Sequence, residues 1–177
     1  MENEKHFYPT PESHEQPTRE YSVNFLSFIH PDAEKAEKTY DTQELVAMMN
    51  KWWKQICEEN NIDPNDKKFN NVDYYIFELG KNALEHAGGG KIKVIFESEK
   101  ITVTISDQGE GFVDRFHIDY ELSAGRGLEQ AYNFADEFSI ETNGKKYVKL
   151  GSNDTLTESE ETDIKHGTKI TFIKNFE

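Results

Sequence analysis

The chain has a single cysteine, no long apolar run and fewer basic than acidic residues, and each of these features excludes a class of protein. Cys57 is the only cysteine among 177 residues, so no internal disulfide can form, which agrees with a reducing compartment. The sequence contains no run of about 18 apolar residues, so it predicts no transmembrane helix. The first residues are charged and contain proline, so no signal peptide is expected. We therefore expect a cytoplasmic protein.

An excess of acidic over basic residues gives the chain a strongly acidic balance. Lysine and arginine together number 20 against 34 aspartates and glutamates, and the formal net charge is −14. Such a field repels nucleic acids and anionic membranes, so neither is an expected partner. The acidity either attracts a basic protein partner or only keeps the protein soluble. An anionic ligand would need compensation from a divalent cation, backbone N–H groups or a helix N-terminus.

Length and local composition predict one domain preceded by a tail. Residues 1–18 contain three prolines among polar residues, so we expect a flexible N-terminal tail. Residues 19–177 are long enough to form a single domain with its own core. Within that domain, residues 151–165 lack an apolar run and carry five acidic side chains, which predicts an acidic surface loop.

Hydrophobic periodicity and turn signals predict an alternation of helices and hairpins. Residues 41–44 form a capping box before an apolar stripe with helical spacing, and Asn143-Gly144 is typical of a hairpin turn. The predicted helices cover 41–60, 70–87 and 127–135, and the predicted strands cover 21–29, 91–97, 100–106, 137–142, 145–150 and 168–174. This order predicts an α/β (α+β) two-layer sandwich, whose mixed, mostly antiparallel sheet is covered on one face by helices.

Three polar residues share one face of the second predicted helix. Glu78, Asn82 and His86 are spaced four residues apart, so they lie one above the other. The amide oxygen of Asn82 is a hard ligand suited to Mg²⁺, and the carboxylate of Glu78 can accept a hydroxyl proton. Polar pairs at this spacing usually form a solvated face, so the pattern alone is a weak signal.

Three glycine-containing segments follow at the ends of predicted elements. Asp107-Gln-Gly109-Glu-Gly111 ends a strand rich in β-branched residues, where the backbone can approach a ligand closely. Gly125-Arg126-Gly127-Leu128 precedes a helix, so its N–H groups can approach phosphates, and Arg126 is the candidate cation. Gly167-Thr168 opens the last strand. Each segment also occurs in ordinary turns.

The four segments, in this order, resemble the nucleotide-site boxes of the GHKL superfamily, which includes histidine kinases and Hsp90-type ATPases. The resemblance implies the histidine-kinase-like ATPase (Bergerat) fold, with ATP and Mg²⁺ as cofactors. It implies that Asn82 binds Mg²⁺, that Glu78 is the catalytic base and that Asp107 accepts the adenine amino group. It further implies a set of nucleotide-binding residues: Asn82, Asp107, Gly109, Gly111, Gly125, Arg126, Gly127, Leu128 and Thr168.

Within that superfamily, the chain is most similar to anti-sigma factor serine/threonine kinases. The similarity rests on the extended box over residues 78–87 and on Gly125–Leu128 followed by Asp136-Glu137. It implies a homodimeric transferase that phosphorylates a serine of an anti-anti-sigma protein of the STAS fold and binds a sigma factor. Two alternatives stay open. One is a catalytically inert, nucleotide-gated protein-binding module, and the other is a detached histidine-kinase ATPase domain.

Overall fold

A computed structural model of the chain describes residues 18–24, 42–64, 66, 69, 71–115, 117–119 and 127–176. The helices are α1 (Thr42–Glu59), α2 (Val72–Ala87) and α3 (Gly127–Phe134). The strands are β1 (Arg19–Asn24), β2 (Gly90–Phe96), β3 (Lys100–Asp107), β4 (Glu137–Thr142), β5 (Lys145–Lys149), β6 (Thr157–Glu161) and β7 (Thr168–Asn175). The predicted tail lies outside the described residues except for Thr18.

The strands form one seven-stranded sheet in the order β1-β2-β3-β7-β4-β5-β6. Every strand pair in the described part of the chain is antiparallel, so the sheet is not mixed as the sequence predicted. The last strand, β7, lies between β3 and β4, where it joins two hairpins that are distant in sequence. Its pairing with β3 brings the end of β3 beside the start of β7, because Ser106 is opposite Lys169.

The core lies between one face of the sheet and the helices. Alternate residues of β2, β3, β4 and β7 are buried, as period-2 alternation requires. Helix α1 contributes Leu45, Met49, Trp53 and Ile56, and α2 contributes Val72, Ile76 and Leu79. On the opposite face, Thr104 and Thr171 are only half-buried and share a hydrogen bond of 3.2 Å. The predicted two-layer arrangement with helices on one face is therefore confirmed.

Glycines cap the C-terminal end of helix α2. Gly88 adopts a left-handed conformation with φ of 72°, and its N–H donates to the carbonyl of Leu84 at 3.0 Å. Gly89 donates to the carbonyl of Ala83 at 3.2 Å, which completes a glycine C-cap. The turn carries the chain directly into β2, so the polar face of α2 lies close to the ends of the central strands.

The segment 151–165 departs from the predicted loop. It contains β6, which pairs with β5 as the edge strand of the sheet through an irregular register. Leu156 and Thr162 are buried at either end of the strand, whereas the residues between them whose burial is described are exposed. An edge strand with acidic residues at its exposed positions does not alternate apolar and polar residues. Its sequence therefore resembles that of a loop. Among the described residues, no helix is long and apolar enough to cross a membrane.

Candidate functional site

A cavity of about 680 Å³ opens where α2, the end of β3 and the start of β7 meet. Its size lies within the range of small-molecule and cofactor sites. Apolar side chains form part of the wall, including Leu79, Ile105, Leu128 and Ile170. The polar lining comes from separate parts of the chain and comprises Asn82, His86, Asp107, Gln108, Glu110, His117, His166 and Thr168.

Asp107 is the carboxylate that the fold fixes most firmly in this cavity. Its Oδ1 accepts the N–H of Gly109 at 2.9 Å and the N–H of Thr168 at 3.2 Å. Burial raises the pKa of Asp107, while the two N–H donors and the charge of nearby His86 act in the opposite direction without cancelling the increase. Among the described residues, both hydrogen bonds engage Oδ1. The carboxylate is therefore held by one oxygen, and Oδ2 is the oxygen with which it can recognise a ligand donor.

The loop after β3 requires glycine because it packs against backbone. A Cβ on Gly109 would lie 2.7 Å from the Cβ of Ala87. Gly111 has a φ of 72°, and a Cβ there would lie 2.6 Å from the carbonyl oxygen of Gly167. A Cβ atom essentially never makes contacts this short, so both positions exclude larger residues. The loop can follow the cavity wall only because these two side chains are absent.

Two residues of the β4–β5 hairpin hold the same loop in place. The hydroxyl of buried Thr142 accepts the N–H of Phe112 at 2.9 Å and donates to the carbonyl of Gly167 at 3.0 Å. The side-chain amide of Asn143 donates to the carbonyls of Glu110 and Phe112, each at 2.9 Å. The sequence identifies Asn143 only as a turn residue and gives no signal for Thr142. Their role depends on a contact across about 30 positions of the chain, which no local pattern encodes.

The helical side of the cavity carries Asn82 and His86, as the spacing on α2 predicts. Glu78, one turn earlier, is half-buried and is not among the described residues that line the cavity. Its side chain packs against Gly127 at the start of α3, where a Cβ would lie 2.3 Å from the Cβ of Glu78. Gly127 thus permits close packing of α3 on α2, in addition to any role at phosphates.

The fold brings together six of the predicted site residues around one cavity: Asn82, Asp107, Gly109, Gly111, Leu128 and Thr168. Glu78 and Gly127 contact each other beside it, whereas Gly125 and Arg126 lie outside the described residues. The lining also includes His117 and His166, which sequence reasoning missed because their separation of 49 positions forms no motif.

The donor set of the cavity suits an organic ligand better than an isolated metal ion. Within the described part of the chain, no group of three or more His, Cys, Asp or Glu side chains is arranged to hold a metal. A Mg²⁺ ion would have to combine the amide oxygen of Asn82 with oxygens of the ligand and water, which is how Mg²⁺ is commonly bound beside phosphates. The residues present therefore fit a metal that arrives with an anionic ligand. No family model and no curated protein sequence matches the chain.

Proposed function

We propose that this protein binds Mg-ATP in the cavity between α2 and the ends of β3 and β7, as a GHKL-type regulatory protein. We further propose that it is an anti-sigma-type protein serine kinase whose substrate is a STAS-fold partner. On this proposal the active form is a cytoplasmic homodimer that also binds a sigma factor. The observation that carries the proposal is the anchored carboxylate of Asp107 in the same cavity as Asn82.

Asp107 supports recognition of adenine. Its Oδ1 is saturated by two backbone donors, so its other oxygen is oriented and can accept one hydrogen from the exocyclic amino group. Guanine presents a carbonyl at that position, which would meet the carboxylate with like partial charge. The apolar wall formed by Leu79, Ile105 and Ile170 provides a surface for the flat base.

Asn82 supports binding of the phosphate end of the nucleotide. The amide oxygen of Asn82 would ligate Mg²⁺, and the bound ion would neutralise phosphate charge during transfer. In the kinase, Glu78 would accept the proton of the substrate serine as its oxygen attacks the γ-phosphorus and ADP leaves. Gly127 is the contact that holds the Glu78 side chain between α2 and α3.

A second candidate function is a nucleotide-gated binding module that transfers no phosphate. It is favoured by the position of Glu78, which packs beside Gly127 and is not among the described residues lining the cavity. A general base must reach the proton that it removes, directly or through one water. Both candidates require the same nucleotide site, so a test of Glu78 separates them.

The first measurement is calorimetric titration of the protein with ADP in excess Mg²⁺. Saturable binding supports the nucleotide site, and no binding at millimolar ADP would refute both candidates. The second measurement follows labelled phosphate from ATP to STAS-fold proteins, with Glu78→Gln compared with wild type. If Glu78 is the base, transfer falls by roughly 10²–10⁴-fold while ADP affinity changes by less than about tenfold.

The matched control is Glu85→Gln on the same helix. Glu85 is exposed and forms an ion pair of 3.7 Å with Lys81, so its loss leaves transfer near the wild-type rate. Equal transfer by wild type and Glu78→Gln would remove Glu78 from the mechanism. If wild type transfers nothing but binds a partner differently with ADP and ATP, the binding module is the correct function.

A further inference from the structure

Each histidine in the described part of the chain lines the same cavity. His86 comes from α2, His117 from a short helical turn over 117–119, and His166 from the connection just before β7. The chain has six histidines, and His6, His14 and His30 lie outside the described residues. Three imidazoles from three separate segments thus line one cavity.

The cavity has no other described side chain that can become positive. Its lining includes the carboxylates of Asp107 and Glu110, and no lysine or arginine among the described residues. The whole chain adds a net charge of −14, which further disfavours an anion. Among the side chains of this described lining, the imidazoles are therefore the groups that can add positive charge beside an anionic ligand, and imidazoles change charge between about pH 5 and 8.

Local contacts fix the ring of His117 at the cavity. Its Nδ1 lies 2.7 Å from Oδ1 of Asp114, and the same oxygen accepts the backbone N–H of His117 at 3.0 Å. Arg115 and Asp119 form a separate ion pair on the same turn. Asp114 therefore orients the imidazole, while Arg115 is engaged by another carboxylate.

His166 follows Lys165, which is not among the residues that line the cavity. Lys165 donates to the carbonyl of Thr162 at 3.2 Å, and Asp163 is the nearest exposed carboxylate along this connection. His166 itself precedes Gly167, whose close packing against Asp107 holds this connection at the cavity. On α2, Lys81 and Glu85, which are not among the residues that line the cavity, pair with each other at 3.7 Å.

We propose that His117 and His166 are phosphate-binding residues that charge on binding, so that the protein takes up protons with its nucleotide and binds it more tightly as the pH falls. This inference rests on the proposed nucleotide site. A bound anion raises the pKa of an imidazole beside it, because it stabilises the charged form. Affinity is then lowest well above the imidazole pKa and increases as the pH falls through the pKa of the complex.

The size of the effect follows from the same linkage. A rise of one pKa unit in one imidazole corresponds to a tenfold gain in affinity. We expect Mg-ADP to bind at least about tenfold more tightly near pH 5.5 than near pH 8.5. The terminal phosphate of ADP also gains a proton in this range, which lowers its charge and opposes the effect. An observed gain is therefore due to the protein.

The test is calorimetry of wild-type protein with Mg-ADP over this pH range, in pairs of buffers with different ionisation enthalpies. The buffer pairs report protons taken up on binding, a readout that needs no variant. Uptake should pass through a maximum within the pH range in which imidazoles change charge and should fall to near zero well above that range. Adenosine, which has no phosphate, should show little uptake.

Variants assign the protons to the two side chains. The double variant His117→Gln/His166→Gln should lose most of the uptake and most of the pH dependence, with the fold checked by circular dichroism. Lys165→Gln is the matched control, because it removes a cation next to His166 that does not line the cavity and should leave the profile unchanged. His86 is kept, since it lies one turn from Asn82.

The outcomes separate this inference from the proposed function. ADP binding with a flat pH profile, or with equal proton uptake in the double variant, overturns the role of the histidines and leaves the nucleotide site standing. Equal uptake with adenosine also overturns it, because the protons would then not follow the phosphates. Absence of ADP binding at every pH overturns the nucleotide site and this inference together.

Discussion

Asp107 shows how a single residue can be placed to recognise a ligand while it lowers the stability of the fold. Its carboxylate is held by the N–H groups of Gly109 and Thr168, yet burial leaves its pKa raised above the ordinary value of 3.8. A carboxyl group whose pKa is higher in the folded state destabilises the fold when it is ionised. That cost is present at neutral pH, begins to decrease as the pH falls through the folded pKa and is gone below the unfolded value of 3.8.

Replacement of Asp107 by asparagine should therefore separate affinity from stability. The amide oxygen of Asn can still accept from Gly109 and Thr168, but its second group is a donor and not an acceptor. We expect the variant to lose about 1.5–3 kcal/mol of ADP binding, the strength of a hydrogen bond to a charged group. Its free energy of unfolding at neutral pH should equal or exceed that of wild type.

Calorimetry with ADP and urea unfolding measure the two effects. Asp163→Asn, at an exposed position on the connection before β7, is the control and should change neither quantity appreciably. Unchanged ADP affinity in a folded Asp107→Asn protein would contradict the assignment of this residue to the adenine. A large loss of stability would show that the backbone donors need a full charge as their acceptor.

At the scale of elements, Lys149 joins β5 to the end of α3. The side chain is 1% exposed, and its ammonium donates to the carbonyls of Tyr132 at 2.6 Å and Ala135 at 3.0 Å. It also lies 4.4 Å from the centre of the Tyr132 ring. Burial lowers the pKa of Lys149, and Asp136 acts in the opposite direction. A positive charge at the C-terminus of a helix complements its dipole, so Lys149 stabilises the helix whose start contacts Glu78.

Lys149→Met removes this cap while keeping the length of the apolar stem. Two carbonyls at the end of α3 lose their donor, and a buried unsatisfied polar group costs about 1–3 kcal/mol. We expect the free energy of unfolding to fall by that amount. The fall is partly offset because the buried Met, unlike the ammonium, carries no desolvation cost. Lys146→Met, on the opposite face of the same strand, should change stability by less than about 0.5 kcal/mol. Equal stability of Lys149→Met and wild type in urea unfolding would contradict the capping role.

At the scale of the whole molecule, the carboxylate of Asp136, which lies outside the cavity, connects segments that are distant in sequence. Asp136 lies between α3 and β4, and it accepts from the backbone N–H of Asn175, from the ammonium of Lys174 and from the hydroxyl of Ser152. Burial raises the pKa of Asp136, but these three donors outweigh it and the pKa is lowered. Asp136 therefore links β7 to the segment before β4 and to the segment after β5.

The lowered pKa makes the stability of the whole protein sensitive to acid. A carboxyl with a depressed folded pKa contributes stability above its unfolded value of 3.8, and this contribution is lost as the pH falls through the folded pKa. We expect Asp136→Asn to reduce the free energy of unfolding at neutral pH by about 1–3 kcal/mol. Near about pH 3 the difference between variant and wild type should be smaller, because this pH lies below the unfolded pKa of 3.8 and the contribution of the lowered pKa is being lost. Urea unfolding at the two pH values measures this, and a difference independent of pH would refute the linkage.

Much of the fold follows from short-range patterns. Helical spacing of apolar residues indicates α1 and α2, β-alternation indicates the hairpins, and Gly88 and Asn143-Gly144 mark turns that the structure contains. These signals are local because each depends on residues within a few positions of one another. The same patterns missed β6, since none of its positions with described burial is buried and no alternation is left to detect.

The sequence by itself determined which residues could form a site, because Asn82, Asp107 and the glycines carry their chemistry and conformational freedom with them. Only the tertiary structure decided that they meet, since β7 must lie between β3 and β4 before Thr168 can donate to Asp107 or Thr142 can hold the glycine loop. The convergence of His117 and His166 has the same origin. Pairings between distant strands are set by the burial of the whole sheet face, a property of the assembled core that no single segment contains.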